Sequence, residues 1–319
     1  MISKMRSRQF PDLTNWEIEQ YLKRNDLIVV PVGHCEMLGA TPVDGEYVGA
    51  HAWANLIAEY ADGLVLPGVH YTCAGGTQTG RGTVYMNTED SIRYCLALAH
   101  SLLIQGFKTQ VWIPSHGPTK MFLSGMVTQF FDETKVSALY LEPHTLFKKK
   151  GLVKSFDPLA DEGGKPEPVK LKDGTPLGFK DQELGSYQIC KRLDLYPAKG
   201  EVDFPPAEVK SMKDVAAPWF FDECLPLQFC SEIVTPAPVY FETTRQHGGD
   251  PVSLYTREEM KSHADIGERY MRELIEAADI PGLIAGLKKL NRVYMQGSAI
   301  PRNADHLPPN KYAPIWFRD

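Results

Sequence analysis

The chain is poor in the features that would place it outside ordinary soluble enzymes. Its six cysteines, Cys35, Cys73, Cys95, Cys190, Cys224 and Cys230, are scattered through 319 residues. None forms a Cys-x-x-Cys pair, so neither a disulfide framework nor a zinc ribbon is supported, and a reduced cytoplasm is the expected location. No uninterrupted apolar stretch reaches the ~18 residues that span a bilayer, and no segment has the charged, apolar, small-residue order of a signal peptide. There is no excess of positive charge: 34 basic against 40 acidic side chains give a net charge of −6. No nucleic-acid or membrane partner is therefore expected, and a small-molecule substrate is the expected ligand. No Gly-x-Ser-x-Gly elbow occurs, which disfavours a serine hydrolase of the α/β type. Gly75-Gly-Thr-Gln-Thr-Gly-Arg-Gly82 lacks the Gly-Lys-Ser/Thr ending of a phosphate-binding loop, and it reads better as an active-site or interface loop.

What is present is an alternation of apolar strands and amphipathic helices. Leu27–Val32, Leu64–Leu66, Thr109–Ile113 and Val136–Leu141 read as strands. Between them lie helical patterns at about 47–60, from a Thr88 cap to Gly106, and at about 120–131. A short helix capped by Thr14 precedes the first strand. This order predicts an α/β fold, a mostly parallel sheet with helices on both faces. The length suggests about two domains, or one large α/β domain with insertions. The reading adopted is a single domain over 1–319. Residues 144–235 form a loop-rich insertion capping one end of the sheet, with helical segments near Asp181–Leu193 and Pro206–Met212. Residues 236–319 form a helical C-terminal extension, with helices at Arg257–Ala278 and Pro281–Leu290.

Each strand of the first half ends in reactive side chains. His34, Cys35 and Glu36 follow the first, with Asp44 and Glu46 beyond; His70 follows the second, Ser115 and His116 the third, Glu142 and His144 the fourth. Parallel strands point their carboxyl ends the same way, so these groups can share one rim, where open α/β sheets collect ligands. Carboxylates and imidazoles on such a rim are the material of a metal or acid/base site. Cys35 reads better as a small buried thiol than as a nucleophile.

Several blocks resemble the creatininase family, metal-dependent amidohydrolases. Pro31-Val-Gly-His-Cys-Glu-Met-Leu-Gly-Ala-Thr-Pro42 follows the frame of the family's Pro-x-Gly-Ser-x-Glu-Gln-His-Gly-x-His-Leu-Pro. Arg81-Gly-Thr83 stands for its Pro-Gly-Thr loop, and Gly106-Phe107, a strand and Pro114-Ser-His-Gly-Pro-Thr119 for its Gly-Phe, strand and Asn-Gly-His-Gly-Gly-Asn. A later block, Glu183-Leu-Gly-Ser-Tyr-Gln-Ile-Cys190, matches His-Ala-Gly-Glu-x-Glu-Thr-Ser by spacing, keeping the glycine.

The resemblance implies a creatininase-like fold and one divalent ion (zinc, manganese or iron) held by Glu36, Glu46 and His116, with Asp44 the rival of Glu46. A second ion's positions have become Leu38 and Pro118, so a mononuclear site is expected. Glu183 or His70 would carry the proton, Glu183 alternatively serving as a ligand. Tyr187, Gln188, Ser115 and Thr83 would contact substrate. The implied activity is hydrolytic opening of a small cyclic substrate, either a cyclic amide or a keto-cyclitol cleaved at carbon–carbon. The alternatives are a non-hydrolytic relative that binds a sugar-like ligand, and a single-metal isomerase or lyase. A homo-oligomer, as large as a hexamer, is also implied.

Overall fold

The computed structural model describes residues 5–74, 77–78, 80–153, 169–178, 180–202 and 255–295. Helix α1 (Asn15–Leu22) starts at Thr14, whose side chain and that of Glu17 form a reciprocal capping box. The chain then runs through β1 (Leu27–Val32), α2 (Gly45–Tyr60), β2 (Leu64–Val65), α3 (Thr88–Gln105), β3 (Thr109–Pro114), α4 (Thr119–Thr134) and β4 (Leu139–Tyr140). Helices α5 (Pro143–Lys149), α6 (Asp181–Ile189), α7 (Arg257–Ala278) and α8 (Ile280–Met295) follow.

All strand pairs are parallel, and the order is β2-β1-β3-β4. The long central pair, β1 and β3, is buried along its whole length, the signature of a sheet covered on both faces. One face packs under α2, α7 and α8, with Leu27, Val29, Val111 and Ile113 against Trp53, Ile57, Met271 and Ile284. The other packs under α1, α3 and α4, with Ile28, Val30 and Trp112 against Tyr21, Leu103, Phe122 and Phe130. Because β2 and β3 lie on opposite sides of β1, the chain reverses direction between β1 and β3. Their carboxyl ends form the crevice where doubly wound sheets bind ligands.

Two boundaries differ from expectation for identifiable reasons. Asn87, not Thr88, caps α3, its side chain accepting from the Asp90 amide at 2.8 Å. The fourth strand is cut to two residues because its first part bonds elsewhere. The Val136 amide donates to Thr134 Oγ1, and the Ser137 backbone exchanges two bonds of 2.7 and 3.0 Å with the Asn291 side chain of α8. Helix α6 stops at Ile189, short of Leu193, and α8 runs past Leu290 to Met295.

Within the expected insertion, α6 is bound tightly to α7. A Cβ on Gly267 would lie 1.7 Å from the Asp181 carbonyl oxygen, and one on Gly185 would lie 2.5 Å from the Glu268 nitrogen. Only glycines let these helices approach so closely. The expected helix at Pro206–Met212 and the segment around Gln296–Pro301 and Tyr312–Phe317 lie outside the described residues. No helix among the described residues is long and apolar enough to cross a membrane.

Candidate metal centre

The site assembles at the β1/β3 crevice. As β1 ends, Gly33 passes directly beneath α2: a Cβ there would lie 2.2 Å from Tyr47 Cα. The loop that follows is pinned by backbone bonds from Cys35 to His70 and from Glu36 to Val43, each 2.8 Å, and by the Met37 amide donating to Thr83 Oγ1 at 3.1 Å. These contacts hold Glu36 below the first turn of α2, which carries Glu46. His116 arrives from the end of β3, where the Ser115 amide still donates to the Val32 carbonyl.

Glu36, Glu46 and His116 each present a ligand atom within 4.8 Å of the others. Glu36 and His116 are 2% and 6% exposed, while Glu46 is partly buried at the cleft edge. Glu36 Oε1 stands 3.2 Å from His116 Nδ1, and its other oxygen accepts from the Thr77 hydroxyl. Burial, then the neighbouring Glu36, pushes the Glu46 carboxyl up to about 7, against the pull of His116 and the Ser115 hydroxyl. Burial alone would lower the His116 imidazole, but its hydrogen bond to Glu36 and the charges of Glu36 and Glu46 outweigh this and raise it. Two carboxylates crowded on one imidazole form a locus of unbalanced negative charge.

A divalent cation fits this locus. His116 turns Nδ1 toward Glu36, and two carboxylates with one imidazole are a donor set that divalent ions take. Nitrogen and oxygen donors about 2.1 Å from one ion stand roughly 3.4 Å apart at the tetrahedral angle, close to the 3.2 Å between Glu36 Oε1 and His116 Nδ1.

The rival candidates separate cleanly. Asp44 is drawn off by an ion pair with Arg192 at 2.7 Å and accepts from the Tyr187 hydroxyl. His34 is wholly buried and stacks on His116 with ring centroids 4.9 Å apart. Its Nδ1 accepts from the Thr72 amide, so a neutral ring carries its proton on Nε2 and has no lone pair there for a metal. Burial and the adjacent His116 push it down to about 4, which keeps it neutral.

Two adjoining cavities open beside the triad. The larger, about 430 Å³, is walled by Leu38, Thr41, Glu46, Lys180, Glu183 and Tyr187 among others; the smaller, about 180 Å³, reaches His116, Trp53 and Glu142. Ser115, Gly49, Gln182 and His144 border both. Ser115 and Tyr187 thus stand where substrate contacts were expected.

Other expected residues stand elsewhere. His70 borders neither cavity, because its ring lies 3.6 Å from that of Tyr47. Gln188 is turned to α7, donating to Asp265 and Glu268 at 2.7 and 2.9 Å. Thr83 is spent on the Glu36–Met37 loop. Glu183 does wall the larger cavity, but one oxygen accepts from Thr41 and Tyr196 at 2.7 and 2.8 Å and the other from Lys180 at 2.6 Å.

Thr77, Lys180, Thr41 and Tyr196 escaped sequence reasoning. The Lys180–Glu183 spacing of three on a helix was a visible signal. The others are brought in only by the fold.

Comparison with known proteins agrees with this fold. The family profile of creatinine amidohydrolase matches residues 11–167. Over that span, just under half of the chain, the sequence is similar to the creatininase family. Its members are metal-dependent hydrolases. Among solved structures, creatinine amidohydrolase (creatininase) shares 19% identity over 85% of this chain and 97% of its own, with a TM-score of 0.53. A manganese form of creatininase is similar at 18% identity, over 85% and 98% of the two chains, with a TM-score of 0.52. A putative creatinine amidohydrolase from Bacteroides fragilis is similar at 14%, over 89% and 96%, with a TM-score of 0.52. At these identities the likeness is one of fold, and it extends the creatininase architecture beyond the matched span. No curated protein matches the sequence.

Proposed function

We propose that the protein is a hydrolase that opens a small cyclic substrate with one divalent ion held by Glu36, Glu46 and His116. The observation that carries this is the convergence of those three side chains in the crevice, each with a donor atom within 4.8 Å of the others. A divalent ion at such a triad supplies Lewis acidity, polarising a carbonyl and making water a nucleophile near neutral pH. Leu38 walls the larger cavity with a side chain that cannot ligate, which supports a single ion.

The protein's own groups supply position and orientation. Thr77 and His116 hold both oxygens of Glu36, and the Ser115 hydroxyl orients Glu46. Lys180 and Glu183 form a fixed ion pair on the opposite wall, with Thr41, Gln182 and Ser186 alongside. That wall alternates donors and acceptors and suits ring hydroxyls, which favours a keto-cyclitol opened by carbon–carbon hydrolysis. Trp53 at the smaller cavity is the feature that keeps a flat cyclic amide as the second reading. Hydrolysis of the ring produces a carboxylate in either case. The homo-oligomeric state implied by the family resemblance and the cytoplasmic location expected from the cysteines belong to the same proposal.

The test is metal content per chain by plasma mass spectrometry, followed by assay of the loaded protein on creatinine and on an inosose. About one ion per chain, lost in Glu36→Gln, with ring opening of the inosose, is the expected result. Absence of metal after reconstitution with zinc, manganese and iron overturns the reading. Deuterium exchange next to the ketone without ring opening would replace hydrolysis with isomerase or lyase chemistry.

A further inference from the structure

We infer that His144, at the start of α5, is the catalytic acid–base residue, moving the proton between attacking water and leaving atom. The inference rests on the hydrolase reading above. It starts from position: among the described residues, His144 is the one ionisable side chain that borders both cavities flanking the triad. Its side chain is solvent-exposed, so it can exchange protons with water between turnovers. Trp53 stands edge-on at 6.4 Å, and the Gln182 amide lies 3.4 Å from Nε2.

Elimination leads to the same residue. The ionisable groups facing this space are Glu46, Lys180, Glu183 and Tyr187 in the larger cavity and His116 and Glu142 in the smaller. Glu46 and His116 belong to the triad. Glu183 already accepts from three donors, one of them the Lys180 ammonium. Glu142 caps α5, accepting from the Thr145 amide and hydroxyl. Burial raises the Tyr187 phenol above its ordinary range, so it holds its proton. The His144 imidazole, which borders both cavities, has ring nitrogens that can both accept and donate a proton.

The step balances without any redox partner. Water adds across the scissile bond: a carbon–oxygen bond forms at the carbonyl carbon as its bond to the leaving nitrogen or carbon breaks. The bonding pair departs with the leaving atom. His144 accepts one proton from the water on a ring nitrogen and delivers it to that pair; the other proton ends on the new carboxyl group.

The experiment compares wild type, His144→Gln and His144→Ala, all loaded with zinc, on creatinine and the inosose. Metal content is measured first. Expected is an unchanged ion content in the variants, a kcat lower by about 10²-fold or more with KM within about threefold, and loss of one ionisation from the pH–kcat profile. Added imidazole should partly restore His144→Ala. A variant kcat within threefold of wild type, or an unaltered pH profile, overturns the role of His144 and leaves the hydrolase reading standing. A metal-free wild type, or a loaded one that opens neither ring, overturns the hydrolase reading and this role with it.

Discussion

Glu46→Gln separates the strain in the triad from its use. In the folded protein, burial and Glu36 carry the Glu46 carboxyl from 4.5 to about 7. In the unfolded chain it ionises at its ordinary value. Between about pH 4.5 and 7 the folded state therefore binds more protons than the unfolded state. Stability then falls as pH rises through that window, and the full penalty from Glu46 is present above it. At about 1.4 kcal/mol for each tenfold change, the cost above pH 7 is at most about 3.5 kcal/mol. Glutamine keeps the shape and removes the charge.

His116 works in the opposite sense. Its raised proton affinity contributes stability that is full below 6.5 and declines as pH climbs through its folded value. Since Glu46 is one source of that rise, the variant's gain is clearest in alkali. In chelator, urea unfolding should show Glu46→Gln more stable than wild type by about 1–3 kcal/mol at pH 8.5 and nearly equal to it at pH 4. With zinc at about 1,000 times its dissociation constant the order should reverse, because an ion that binds only the native state adds ~4.1 kcal/mol to wild type. A variant that is less stable in chelator at pH 8.5, or a difference that does not change with pH, refutes the reasoning.

Other consequences are read as directly. His116→Ala should abolish metal retention while leaving the circular dichroism spectrum unchanged; a variant that binds zinc as tightly as the parent removes His116 from the ligands. Glu183→Gln should keep the ion and raise KM, because the carboxylate is committed to Thr41, Tyr196 and Lys180; loss of metal would make it a ligand. Gly267→Ala should lower stability by about 3 kcal/mol, the upper part of the overpacking range, since the new methyl would meet the Asp181 backbone. A midpoint of urea unfolding equal to wild type would show that α6 and α7 can part at little cost.

The sequence by itself determined the class of fold and two sides of the triad. Continuous apolar runs at Leu27–Val32 and Thr109–Ile113 can be satisfied only by a sheet covered on both faces. The polar residues that end those runs must emerge at its carboxyl edge. Glu36 and His116 were legible for that reason, because they sit within four residues of strands whose direction was plain.

Tertiary structure decided whatever depended on which strands are neighbours and which donors reach across the cleft. The order β2-β1-β3-β4 set the crevice beside Glu36 and His116, and left His70, after the edge strand β2, against Tyr47. Arg192, 148 positions along the chain, took Asp44 into an ion pair away from the triad. Thr41, Tyr196 and Lys180 converged on Glu183, and the α6–α7 contact turned Gln188 away. Spacing along a chain carries the direction of an element and the face a residue occupies. Hydrogen-bond partners drawn from distant segments are a property of packing, and they determine which of several carboxylates remains available to a metal.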